Sequence, residues 1–311
     1  GRPVGLSGAE EGMKPRTLIV SLVILAAALS YYLYFEMYKP RQLKERQERE
    51  ALVFSLNKPS LERISITGKE RVDLVKLNGR WVISAPISAR VDMRALEDLI
   101  NTLASLRIQR ELVEFSDQSV FAAPLTIEFR DASQDNRLTI GGQTPTKEFR
   151  YAKASSRPGI FLIRDVDIYG LDKDLLALRD KRLFTLPIEH VETISFSGPY
   201  LNLTLAKDTQ SAWHVPGKDV KIDAFKAESL LRQVWLQEAT LFADGMSIGT
   251  PPLLDITLTG GQGSQSLRIW RVGKALFARS SQHPQIIEID RMFLEGLPKD
   301  IGALAVKGGA P

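Results

Sequence analysis

RWVISAPISARVD, residues 80–92, returns later in the chain as AWHVPGKDVKID, residues 212–223. In both, a Trp opens a short apolar run, a polar stretch follows, and a β-branched residue plus Asp closes the phrase. A helical pattern comes next each time. Leu96, Leu99, Ile100, Leu103 and Leu106 form one apolar stripe, and Ala227, Leu230, Leu231 and Val234 form the other. Asp92 and Asp223 stand where a helix N-cap belongs, so they read as structural caps that accept bonds from the orphan N–H groups of the first turn. Trp81 and Trp213 read as core anchors, since large aromatic side chains usually bury their area.

The echo extends outward in both directions. FSLNKPSLERISI from Phe54 aligns without a gap on FTLPIEHVETISF from Phe184. VDLVKL and LNLTLA alternate apolar and polar residues, as half-buried strands do. Asn78-Gly79 signals a tight hairpin in the first copy. PLTIEF resembles LLDITL, RLTIGG resembles SLRIWR, and GIFLIRDVDIYGLDKDLLAL resembles QIIEIDRMFLEGLPKDIGAL. The offset of about 130 residues is a domain length and not a solenoid repeat. Strand pairs joined by short turns predict α+β modules of mostly antiparallel sheet.

The segment before the repeat is different. TLIVSLVILAAALSYYLYF, residues 17–35, carries no charge. A helix of that length spans ~28 Å, close to a bilayer core, and Tyr31, Tyr32, Tyr34 and Tyr38 cluster at one end like an interfacial belt. The sequence therefore predicts a tail over 1–16, a transmembrane helix over 17–38 and a juxtamembrane helical linker over 39–53. The two similar modules follow, over 54–183 and 184–311. Ala26, Ala27, Ala28 and Ser30 offer small residues for close helix packing in the membrane. A cleaved signal peptide is the rival reading, with Lys14 and Arg16 as its basic region. Basic residues after the helix, Lys39 to Arg49, argue for a cytoplasmic C-terminal part, although long domains translocate despite flanking charge.

Chemistry is sparsely written. The 311 residues contain no cysteine, which removes disulfides, thiolate metal sites and a Cys nucleophile. A net charge of +4 is too small to signal a nucleic-acid partner. Phosphate-loop and nucleophile-elbow motifs are lacking. His190, His214 and His283 lie far apart, each read as a surface or loop residue. GGQGS from Gly260 reads as a hairpin loop, and the acids of DVDIYGLDKD as a turn and a helix start. The expectation is no catalytic residue, no metal and no cofactor. LRDKRLF, residues 178–184, joins the copies. It reads either as a solvated linker helix or as an Arg179, Asp180 and Arg182 cluster that sets the angle between modules or docks a partner.

The N-terminal apolar helix, the WVISAP strand, the Asp-capped helix after it and LRDKRLF between duplicated halves together resemble an uncharacterised bacterial membrane family. It is a domain of unknown function whose genes commonly neighbour ABC transporters of the gliding-motility type. The resemblance implies an inner-membrane protein with its duplicated domain in the periplasm. Its implied role is a non-enzymatic accessory to an ABC-2-like permease, the ATPase subunit and a gliding-motility-type auxiliary protein. An independent envelope module binding glycan, lipid or peptide is the alternative, and a hydrolase with a site hidden from motif reading is a third.

Overall fold

The computed structural model describes residues 15–34, 50–113, 115, 117–131 and 134–306. In chain order the elements are α1 (Pro15–Tyr32), β1 (Leu61–Thr67), β2 (Arg71–Leu77), β3 (Arg80–Ala85), β4 (Ala89–Arg90) and α2 (Met93–Ser105). Then come β5 (Arg110–Leu112), β6 (Leu125–Asp131), β7 (Gln134–Gln143), β8 (Phe149–Ala154) and β9 (Arg157–Arg164). The remainder is β10 (Val191–Ser197), β11 (Leu203–Lys207), β12 (Trp213–His214), α3 (Ala224–Trp235), β13 (Ala239–Ala243), β14 (Leu254–Gly260), β15 (Gly263–Val272), β16 (Ala275–Ser280) and β17 (Ile286–Ile289). The fold is α+β and mostly sheet.

Two compact units emerge. One comprises residues 1–71 and 97–172, and the other 72–96 and 173–311. In the first unit the strands run β1-β6-β7-β8-β9-β5, every neighbour antiparallel. The second unit holds an antiparallel ladder of β2, β3 and β4. It also holds an eight-stranded sheet, β12-β11-β10-β14-β15-β16-β17-β13. The run β10-β14-β15-β16-β17-β13 repeats the order of the first unit strand for strand. Even hairpin bonds repeat. Ser155 N donates to Arg137 O at 2.9 Å, and Ser281 N donates to Ser266 O at 2.8 Å. The duplication read in the sequence is thus present in the backbone.

Alternation decides which face is core. β14 buries every second residue, with Leu254, Ile256 and Leu258 inside. Opposite these, α3 contributes Ala227, Leu230, Leu231 and Val234, each buried in the same core as Trp213, Leu205 and Ile194. Each fully buried Leu contributes about 2 kcal/mol of apolar transfer. The Asn78-Gly79 hairpin has both residues at positive φ, 50° and 78°, the conformation a two-residue primed turn requires. At the second hairpin Asp208 accepts from Gln210 N and Ala212 N, so a side chain shapes the longer loop.

Several expectations need correction or fall outside the described residues. The span 17–38 is described only through 34, and α1 is 18 residues long, ~27 Å. Among the described residues no helix is long and apolar enough to cross a membrane. The expected linker over 39–53 lies outside them up to residue 49. Glu50 is helical, but residues 51–53 are not, because Leu52 bridges to Arg107 and Val53 N donates to Leu106 O. Trp213 is buried at 5% exposure, but Trp81 is only half-buried, since Ile83 takes the fully buried position of its strand.

Both caps form. Asp92 Oδ1 accepts from Arg94 N at 2.9 Å and Ala95 N at 3.2 Å. Asp223 Oδ1 accepts from Phe225 N at 3.0 Å and Lys226 N at 3.3 Å. Asp92→Ala and Asp223→Ala are each expected to lose about 1 kcal/mol in urea unfolding, and the Asn variants only a fraction of that.

Candidate functional site

The solvent face of the first unit's sheet carries the more developed of two polar features. Ile64, Ile66, Ile127, Phe129, Leu138 and Ile140 point into the core. Alternation therefore sends Arg63, Glu128, Arg130, Arg137 and Lys153 to the other side. These side chains border a groove of about 740 Å³, which Arg157 also lines. Its carboxylates are already engaged. Arg130 forks onto Asp135, Nε to Oδ1 and Nη2 to Oδ2 both at 2.9 Å. That guanidinium holds the Asp135 carboxyl below the usual carboxylate range. Arg137 Nε donates to Glu128 Oε1 at 2.8 Å. Lys153 Nζ sits 4.6 Å from the centre of the Phe121 ring. Arg157 Nη2 donates to Leu52 O at 3.2 Å and also to Glu50 O.

The second feature is the joining segment, and it is no solvated helix. The helical turn Leu175–Leu178 ends at Arg179, and the chain then runs extended and paired. Val91 bridges Arg179, Asp180 N donates to Arg90 O at 2.9 Å, and Asp92 N donates to Leu178 O at 2.8 Å. Arg182 bridges Glu238, and Ala239 N donates to Lys181 O. Backbone pairing on both sides buries Arg179 to 2% and Asp180 to 3% exposure. The reading of this stretch as a solvated linker helix is therefore corrected.

Burial forces the charges to find partners. Arg179 lies over the Phe242 ring, Cζ 3.4 Å from its centre, with Nη1 3.5 Å from Asp244 Oδ2. Desolvation pulls its pKa down and Asp244 opposes the shift. Burial alone would raise Asp180, but hydrogen bonds from Arg182 prevail and hold it low, helped by Arg90. Arg182 Nε and Nη2 each meet an Asp180 oxygen at 2.9 Å. Arg90 Nε lies 3.7 Å from Asp180, and its Nη1 donates to Gln282 at 3.2 Å. His283 completes the cluster. Its Nε2 lies 2.9 Å from Arg182 O, so that nitrogen carries the proton, and its ring meets Phe242 edge-on at 5.4 Å.

Other sequence candidates lie apart from both features. Asp92 and Asp223 are caps, with their side chains committed to backbone N–H groups. Ala26, Ala27, Ala28 and Ser30 are exposed on α1. His190 and His214 are exposed; His283 lies in a loop, as expected, but is buried at 5%. GGQGS is a hairpin loop, Gly260 pairing with Gly263. Among the described residues no group of His, Asp and Glu is placed to hold a metal. The groove residues escaped motif reading because they come from five strands spread over 95 positions, 63–157. Comparing the aligned copies position by position was the signal available.

Two measurements probe the buried cluster. Asp180→Asn leaves Arg90 and Arg182 short of a counter-charge, and is expected to cost about 2 kcal/mol in urea unfolding. Burial lowers the His283 pKa, with Arg90 and Arg179 also opposing the charged ring and Asp180 and the Arg182 carbonyl favouring it. Below the unfolded value of about 6.5 the unfolded chain binds a proton that the native ring refuses. Stability should therefore fall as pH drops from 6.5 towards the depressed folded value, and His283→Gln should flatten that slope.

No curated protein and no solved structure matches the chain. One family profile does match, over residues 81–253, from the β3 tryptophan to the residue before β14. The matched stretch holds the Asp92 cap, the groove residues on β6 to β9, and the buried Arg179–Asp180 segment. On that match, covering more than half of its length, the chain belongs to the family described as Domain of unknown function (DUF4340).

Proposed function

We propose that this chain is a non-enzymatic, membrane-anchored binding protein, its duplicated sheet domain standing in the periplasm as the accessory subunit of an ABC-2-like transporter. The observation that carries the anchor is α1. Ile19, Leu22, Val23, Ile24, Leu25 and Leu29 are large apolar side chains on several faces of one helix, and all are exposed. A helix apolar all round is stable only when lipid or other helices cover it. The small residues Ala26, Ala27, Ala28 and Ser30 suit close packing against permease helices of the inner membrane. The described residues bring together no nucleophile, base and oxyanion donors, which favours binding over catalysis. The partners of this reading are the permease, its ATPase subunit and a gliding-motility-type auxiliary protein.

An independent envelope-binding module is the second reading, and the groove over the first sheet favours it. Gentle detergent extraction of the tagged chain from its host separates the two. Recovery of a permease and an ATPase in near-stoichiometric amounts is the expected result. Recovery of the chain alone, while a control membrane complex survives the same extraction, would sink the transporter reading.

A further inference from the structure

The two copies share a backbone but not a surface. In the first unit Arg63 lies directly opposite Arg130, and the matching pair in the second unit is Thr193 opposite Thr259. Glu128 opposite Arg137 becomes Thr257 opposite Ser266. Arg130 opposite Asp135 becomes Thr259 opposite Ser264. The second copy shows that this sheet forms with hydroxyls at every one of these positions. The charges at these five positions are therefore not demanded by the fold, whereas the Lys153 position keeps a cation, Arg279, in the second copy. Two arginines directly opposite each other destabilise a strand pair unless an anion lies near. Asp135, whose carboxyl is held low by Arg130 and also by Arg63, already supplies part of that charge.

The cations are also ordered. Arg63 on β1, Arg130 on β6, Arg137 on β7, Lys153 on β8 and Arg157 on β9 give one positive charge from each of five adjacent strands. At about 4.8 Å between strands the row spans ~19 Å. Glu128, Asp135 and Glu111 answer Arg137, Arg130 and Arg157, and Asp135 also interacts with Arg63. Among the described residues no carboxylate forms an ion pair with Arg63 or Lys153.

We infer that this row is a binding groove for an acidic polysaccharide. A repeating anion matches a repeating cation, and arginine forks bind carboxylates in bidentate fashion. Asn136 lies in the same groove and offers its amide to sugar hydroxyls. The interleaved Glu128 and Asp135 accept from hydroxyls as well. Among the described residues that line the groove the one aromatic, Phe129, is buried in the core and offers no face for base stacking. The inference is independent of the transporter role and holds or fails without it.

The test uses the full chain in detergent, titrated with hexagalacturonate, its fully methyl-esterified form and a six-nucleotide oligothymidylate. Hexagalacturonate is expected to bind at least tenfold more tightly than either comparison ligand, and more weakly as salt rises. Arg63→Gln removes an exposed cation and Lys153→Gln a half-buried one, and neither strands a paired carboxylate. Each should weaken binding about tenfold while leaving the melting curve in place. Arg279→Gln, at the second-copy position matching Lys153, should change nothing. No binding of hexagalacturonate, equal binding of its methyl ester, preference for the oligonucleotide, or insensitivity to both groove variants would each overturn the inference.

Discussion

A guanidinium without water must be answered on all sides, and Arg179 shows how much structure that demands. Its planar face rests on Phe242 and one edge meets Asp244. Its Nε is buried without a hydrogen-bond partner among the described residues. The neighbouring Asp180 is buried beside it and held ionised by Arg182 and Arg90. Such a cluster adds little net stability, because the desolvation of each charge offsets most of the attraction. What it supplies is uniqueness of position. The matching residues at the end of the second copy are Ala305 and Val306, where Ile222 bridges Ala305 and Val306 N donates to Lys221 O. The backbone pairing is the same, and only the first copy carries charges at these two positions.

That comparison explains the path of the joining segment. Residues 178–180 close the first copy as 304–306 close the second. Residues 181–183 then open the second copy as 51–53 open the first. Arg157 donates to the carbonyl of Leu52, and His283 to that of Arg182, at equivalent places in the two copies. No residue is left over to act as a spacer. A duplicated module whose last and first residues are both sheet-bonded leaves no room for a flexible linker.

The sequence made the local rules readable. The Asp caps, the Asn78-Gly79 turn, the alternating strands and the tandem copies all rest on patterns within a few residues or on direct self-alignment. Lateral neighbours were not readable. Alternation assigns Arg63 and Arg137 to a face, but no local pattern says that β1 and β7 both flank β6. LRDKRLF looked solvated because its composition is charged, and burial through pairing on both sides depends on residues as distant as Arg90 and Glu238. His283 sits in a loop as read, but its burial was not legible for a related reason. A lone histidine in a hairpin has no sequence signal for the Phe242 ring that covers it. Trp81 shows the limit of transfer between copies, since an equivalent Trp in the second copy is buried deeper.

The two compact units do not coincide with the two copies, because residues 72–96 of the first copy compact with residues 173–311. Evolution by duplication usually leaves cassettes that can be lost, shuffled or expressed singly. Here a cut after residue 183 would divide the second unit and separate Arg90 and Asp180 from Gln282 and Asp244. Neither copy is a removable part. What differs between the copies is the solvent face, where Arg63 and Arg130 of one sheet correspond to Thr193 and Thr259 of the other.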